Sequence, residues 1–296
     1  MGFKDVIDLI NGKAESNVKF IILDYRMPRV ITAMLVGAAL ATAGCAMQAL
    51  FRNPLADPYV LGISSGASVG AALVIFIGLA TTFNIMLSAF LFSLLTAFVV
   101  YKLGETDLGL PVYTLLLAGI AMASFLSGLT SLLIYLSGKE MHHIVFWIMG
   151  GFWSARWEKV WFITAPIISS VVYIILNSWN LNAILMGEEH AFSVGIDVES
   201  FKKKIIGVAT LLTSSSVAVS GIIGFVGIII PHAMRLIVGE NHRRLIPATT
   251  LFGAVFMPIV DLIARTATNG EIPVGIITAL LGAPFFIYLL RRAKFQ

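Results

Sequence analysis

The 296-residue chain is short of charge: Asp, Glu, Lys and Arg make up 12% of it, about half the roughly 25% of an ordinary soluble domain. With 58% hydrophobic residues as well, a water-soluble globule is excluded. The single cysteine, Cys45, sits in an apolar run, so neither an internal disulfide nor a thiolate metal site can form. No G-x-x-x-x-G-K-[ST] stretch occurs, and the chain has no loop of its own to cradle nucleotide phosphates. The five histidines are scattered, and His142 and His143 have only Glu140 beside them; that pattern reads as a solvated loop pair, not a metal centre. No Ser/His/Asp set with recognisable spacing is present. Neither an enzyme nor a bound cofactor or metal is therefore expected. The net charge is +4, but the cations cluster between apolar runs and form no stripe, which argues against nucleic-acid binding and for membrane topology.

What the chain has is long apolar runs. About 20 such residues cross about 30 Å of hydrocarbon, and seven runs meet that test: Val30 to Phe51, Val60 to Ala80, Phe83 to Tyr101, Val112 to Ser137, Glu158 to Leu176, Leu245 to Arg265 and Ile272 to Leu290. As one helix, Ile205 to Val238 would be about 51 Å long, too long to cross once and slightly short to cross twice. Gly221, Gly224, Gly227 and Pro231 offer the break, giving a full helix near 205–221 and a short one returning by about 238. The expectation is an all-α integral membrane protein, a polytopic bundle of about nine transmembrane segments. Its parts would be an external tail (1–29) with an amphipathic segment at Met1 to Gly12, five spans (30–176), a cytoplasmic loop (177–204), four spans (205–290) and a cytoplasmic tail (291–296).

Orientation follows from the cations. One set of loops holds eleven: Arg52, Lys102, Lys202 to Lys204, Arg235, Arg243, Arg244, Arg291, Arg292 and Lys294. The other holds Lys139, Arg156, Lys159 and Arg265, with five more in the N-terminal tail. The first set is read as cytoplasmic, which places the C-terminus inside and the N-terminus outside. Asp5 and Asp8 interrupt Met1 to Gly12, so it is no signal peptide; either the short tail is exported with the first helix or, the favoured expectation, a preceding helix has been lost from the sequence.

Within the spans, ionisable residues are few and sit near the ends: Glu158, Lys159, Arg235, Asp261 and Arg265. Ion-coupled carriers keep carboxylates near the midplane; only Asp261 qualifies, and Arg265 one turn later makes it a simple i,i+4 ion pair. Small and hydroxylic residues are dense instead, among them Gly37, Gly44, Gly66, Gly70, Ser124, Ser127 and Ser214 to Ser216. They serve either close helix packing or a polar path. At Leu181 to Lys204, Leu181, Ile184 and Leu185 share one helical face, and Gly187 and Gly195 break the helix. By itself this is an amphipathic helix on the membrane.

Between the first two spans runs Met47-Gln48-Ala49-Leu50-Phe51-Arg52-Asn53-Pro54-Leu55-Ala56-Asp57-Pro58, then Leu61-Gly62-Ile63-Ser64-Ser65-Gly66-Ala67. Physically this is a rigid turn, Arg52, Asn53, Pro54, Asp57 and Pro58, beside a glycine-rich helix start. With Arg26-Met27-Pro28-Arg29, Trp147-Ile148-Met149-Gly150-Gly151, Leu185-Met186-Gly187-Glu188-Glu189, Gly224-Phe225-Val226-Gly227, His242-Arg243-Arg244-Leu245 and Leu280-Leu281-Gly282-Ala283-Pro284, it resembles the membrane subunits of ATP-binding-cassette importers for iron-siderophores, haem and vitamin B12. The resemblance runs from about Val6 onward. It implies ten helices, of which the first is missing here, and a homodimer with its path on the twofold axis. An ATPase dimer would sit on the cytoplasmic side and a substrate-binding protein outside. It also implies that Arg26, Arg29 and Arg265 dock the binding protein, where the alternative is simple snorkelling, and that Leu185, Gly187, Glu188, Glu189 and Gly195 belong to a segment seated in the ATPase. A secondary carrier without an ATPase, or a permease for free divalent metal or an oxyanion, are the alternatives.

Overall fold

The computed structural model describes residues 3–106 and 109–293. Met1, where the amphipathic segment was expected to start, and Lys294 in the C-terminal tail lie outside the described residues. In chain order the helices are α1 (Phe3–Ile10), α2 (Ser16–Phe20), α3 (Met27–Leu50), α4 (Ile63–Phe76), α5 (Thr82–Gly104), α6 (Val112–Leu136) and α7 (Met141–Met149). Then come α8 (Trp157–Leu176), α9 (Ser178–Leu185), α10 (Glu188–Ser193), α11 (Val198–Ser220), α12 (Val226–Val238), α13 (His242–Thr266) and α14 (Val274–Ala293). Among the described residues five stretches are long and apolar enough to cross a membrane: the continuous Ser16–Leu50, α5, α6, α8 and α13.

The central post is α3, buried at every residue from Val36 to Leu50. A helix apolar all round has to be enclosed by others, and α8, α11, α12 and α13 pack around it. Small residues set the spacing. A methyl group on Gly37 would strike the Gly253 carbonyl of α13, and one on Gly44 the Gly227 carbonyl of α12. Gly66 and Gly70 likewise bring α4 against Thr96, Phe92 and Ser88 of α5. Ser214, Ser215 and Ser216 are fully buried within the chain, so there the small residues serve packing and line no open path.

Three boundaries differ from the expectation. Residues 16–29 are no tail: α2, a π-helical turn (Ile21–Arg26) and α3 run on continuously. The wide turn precedes Pro28, which lacks an N–H and crowds the carbonyl four residues back. The second span shortens to the 14 residues of α4, about 21 Å, because left-handed glycines, Gly62 and Gly78, bracket it. The helix expected near 205 starts at Val198, where Asp197 accepts a hydrogen bond from the Ser200 amide at 3.1 Å and caps it. The predicted break is present as non-helical backbone at 221–225.

Candidate functional site

At one end of the bundle the cations meet buried acid. Asp261, 1% exposed on α13, accepts from Arg29 Nη2 at 2.8 Å and Nε at 2.9 Å. Arg29 also donates to Glu271 at 3.0 Å, and Arg265 Nε lies 3.4 Å from Asp261. The expected Asp261–Arg265 pair therefore exists, but Arg29 is the stronger partner, through a bidentate contact. Of the three arginines read as a docking set, Arg29 is 13% exposed and turned inward, Arg265 is 28% exposed, and Arg26 is exposed. All three line one cavity of about 350 Å³ together with Tyr25, Phe152 and Trp153. The Arg156 guanidinium lies 4.2 Å from the Tyr25 ring centroid.

Deeper in, broken backbone is caged by protein, as unpaired peptide groups in a bilayer must be. The Gly151 amide donates to Ser220 O at 2.7 Å, Tyr59 Oη to Ile223 O at 3.1 Å, and Gln48 Nε2 to Gly227 O at 3.1 Å. A methyl on Gly221 would meet Trp147 O, and one on Gly275 would meet Met149 O. Lys159, 5% exposed, donates to Val219 O at 2.8 Å and Ser154 Oγ at 2.7 Å. A cation thus closes the C-terminus of α11, where the helix dipole favours it. Arg235 Nη2 holds Gln48 Oε1 at 2.9 Å from α12.

The lysine-rich end carries the other expected groups. Gly187 (φ 129°) and Gly195 (φ 86°) both adopt backbone that suits glycine, and they bound α10 as read. Leu181 and Ile184 are buried, whereas Leu185 is exposed, so the proposed apolar face holds at two of its three positions. Glu188 accepts from Lys202 Nζ at 2.7 Å, and Lys202 also reaches Glu199 at 3.2 Å. Glu199 in turn accepts from the Leu110 amide at 3.2 Å, tying α10 and α11 to the loop that enters α6. Glu189 is exposed. In the turn after α3, Arg52 has φ 47°, left-handed backbone that few residues other than glycine adopt. Asn53 Oδ1 accepts from Leu55 N at 2.9 Å, Asp57 Oδ1 from Tyr59 N at 2.8 Å, and Pro58 is buried. Pro54 is exposed at the tip of the same turn. Burial raises the Asp57 pKa to about 6. Among the described residues no three His, Cys, Asp or Glu converge, and His143 meets Glu140 at 2.9 Å.

Sequence reasoning missed the buried roles of Lys159 and Lys202, and the part played by Glu271. Lys159 carried a signal: a lysine one turn into an apolar span either snorkels or finds carbonyls, and Ser154 with a broken helix nearby made the second available.

The model of the FecCD transport family matches residues 1–292. The cobalamin import system permease of Halobacterium salinarum is 42% identical over 266 residues, 90% of this chain and 72% of that protein. The molybdate import system permease of Haemophilus influenzae is 38% identical, over 93% of this chain and 82% of its own length. A metal-chelate type ATP-binding-cassette transporter solved in an inward-facing conformation superposes with a TM-score of 0.88 at 37% identity, covering 94% of this chain and 89% of that one. With its helical bundle, its caged helix break and its glycine-bounded segment at the lysine-rich end, the chain belongs to the FecCD transport family: it is a multi-pass membrane permease of ATP-binding-cassette importers, a transport subunit and not an enzyme.

Proposed function

We propose that the permease imports a metal chelate, an iron-siderophore, haem or cobalamin, as a homodimer that alternates between outward- and inward-open states while a separate ATPase dimer closes on ATP. The observation that carries this is the segment at 177–204. It presents Phe192 on a short helix held between two glycines and Met186 just before the first of them, each 76% exposed, while its charged groups tie it to α11 and, through Glu199, toward α6. Such a knob fits a partner's groove at the cytoplasmic side, where the positive-inside bias places it together with the C-terminus. At the external end Arg26 and Arg265 meet carboxylates of a substrate-binding protein, and Arg29 positions them by holding Asp261 and Glu271. The exposed face of α6, with Ser124, Ser127 and Ser131 and no charge, supports a path for a bulky chelate read by shape. The molybdate permease among the relatives favours an oxyanion as the second reading.

The test is proteoliposome uptake with purified ATPase and binding protein, offering ferric siderophore, haemin, cobalamin and molybdate in turn. ATP-dependent accumulation of a chelate is expected, and the chain alone should hydrolyse no ATP. Accumulation driven by an ion gradient without ATPase would establish a secondary carrier instead.

A further inference from the structure

Lys202, near the start of α11, is the buried member of a chain of ion pairs: its side chain is 7% exposed, against 43% for Glu188 and 42% for Glu199. Its Nζ donates to Glu188 Oε2 on α10 at 2.7 Å and to Glu199 Oε1, three residues earlier on α11, at 3.2 Å. The other oxygen of Glu199, Oε2, accepts from the Leu110 amide at 3.2 Å, two residues before α6 begins. Gly109 lets that carboxylate come close, since its φ is 108° and a methyl group there would lie 2.9 Å from it. Among the described residues no other side-chain hydrogen bond runs from α10 to a neighbouring helix.

We infer that Lys202 is a positioning residue through which displacement of α10 reaches the start of α6. The inference rests on the reading of 177–204 as the segment seated in the ATPase. Stability alone gives no reason for the lysine. Taking an ammonium out of water is costly, and an apolar side chain of similar volume packs as well or better. Both carboxylates keep access to water, so Lys202→Met strands no buried charge. What the cation adds is geometry. Its three donors fix Glu188 and Glu199 relative to each other, and the second oxygen of Glu199 passes that constraint to the backbone entering α6. α6 is also the helix whose exposed face carries Ser124, Ser127 and Ser131, so a movement on the ATPase side arrives at the helix assigned to the path.

The test needs no transported substrate. The permease would be assembled with its ATPase in nanodiscs, and hydrogen exchange followed with and without ATP at two places: over 188–193, which reports α10 against the ATPase, and over 109–115, which reports the entry to α6. In wild type ATP should change both. Lys202→Met should keep melting temperature, complex assembly and the change at 188–193, while the change at 109–115 shrinks by about threefold or more. Lys202→Arg, which keeps the charge and has donors for both carboxylates, should restore it. An equal ATP response at 109–115 in wild type and Lys202→Met would overturn the relay and leave the segment reading standing, and so would no response there in wild type. No response at 188–193 in wild type, with the complex assembled, would instead remove the segment from the ATPase and the relay with it. A lower melting temperature in Lys202→Met with the 109–115 response intact would make Lys202 a structural tie only, which also contradicts the inference.

Discussion

The two ends of the molecule are built on opposite terms. At the arginine end and in the caged break beneath it, buried charges and carbonyls find partners within the chain: Asp261 has Arg29, Val219 O has Lys159, and Gly227 O has Gln48. At the other end α10 hangs between two glycines with open space around them, and Phe192 on it and Met186 just before it are exposed. One end ties its buried charges within the chain. The other leaves apolar side chains exposed, as the proposed contact with an ATPase would require.

If that contrast is right, the largest loss of stability comes from the satisfied end. Arg29→Met strands Asp261 in a buried site and should cost about 3–5 kcal/mol, read as a fall in melting temperature in detergent, while adding Asp261→Leu should recover most of it. Equal melting of wild type and Arg29→Met would show that Arg265 alone suffices. Lys159→Met leaves the Val219 carbonyl without its donor and should cost about 1–3 kcal/mol, with faster hydrogen exchange at 221–225 before any global change. An exchange pattern unchanged there would remove Lys159 from the helix break.

The turn after α3 gives a smaller, pH-dependent effect. The folded turn holds the Asp57 proton more tightly than the unfolded chain, with a pKa of about 6 against an ordinary 3.8. Its contribution is therefore fully present below pH 3.8 and lost as pH rises through about 6. Asp57→Asn keeps an oxygen for the Tyr59 amide and removes the titration, so its melting temperature should gain on wild type between pH 5 and pH 7. Parallel curves would contradict the burial of that carboxyl. The smallest stability effect belongs to Arg26→Glu, within about 0.5 kcal/mol for an exposed residue. Its consequence is kinetic: association with the binding protein should slow, most at low salt where screening is weak. Unchanged association at both ionic strengths would leave Arg26 only a headgroup contact.

Hydropathy and glycine made the scaffold readable: the span order, the 221–225 break and the breaks at Gly187 and Gly195 all follow from local composition. The continuation of α3 back to Ser16 was not, because Lys19, Asp24 and Arg26 resemble a polar tail until Trp157 Nε1 is seen bonding Leu23 O at 2.9 Å. Arg29 and Glu271 lie 242 residues apart, and Lys159 and Val219 lie 60 apart. No periodicity carries such pairings, since only packing of distant helices brings the charges together. Lys202 was counted as one more inside-positive residue, although its burial against Glu188 and Glu199 is what ties α10 to α11.

The exposed end is tested most directly at Gly187. Its φ of 129° is closed to a β-branched residue without strain of about 1–3 kcal/mol, yet nothing packs within 4 Å of it, so Gly187→Val should redirect α10 and leave the bundle folded. Uptake and ATP hydrolysis would be measured together in proteoliposomes containing the ATPase and binding protein. A several-fold fall in substrate moved per ATP, with melting temperature and complex assembly unchanged, is the expected result. An unchanged ratio would show that the 177–204 segment does not transmit the ATPase's motion.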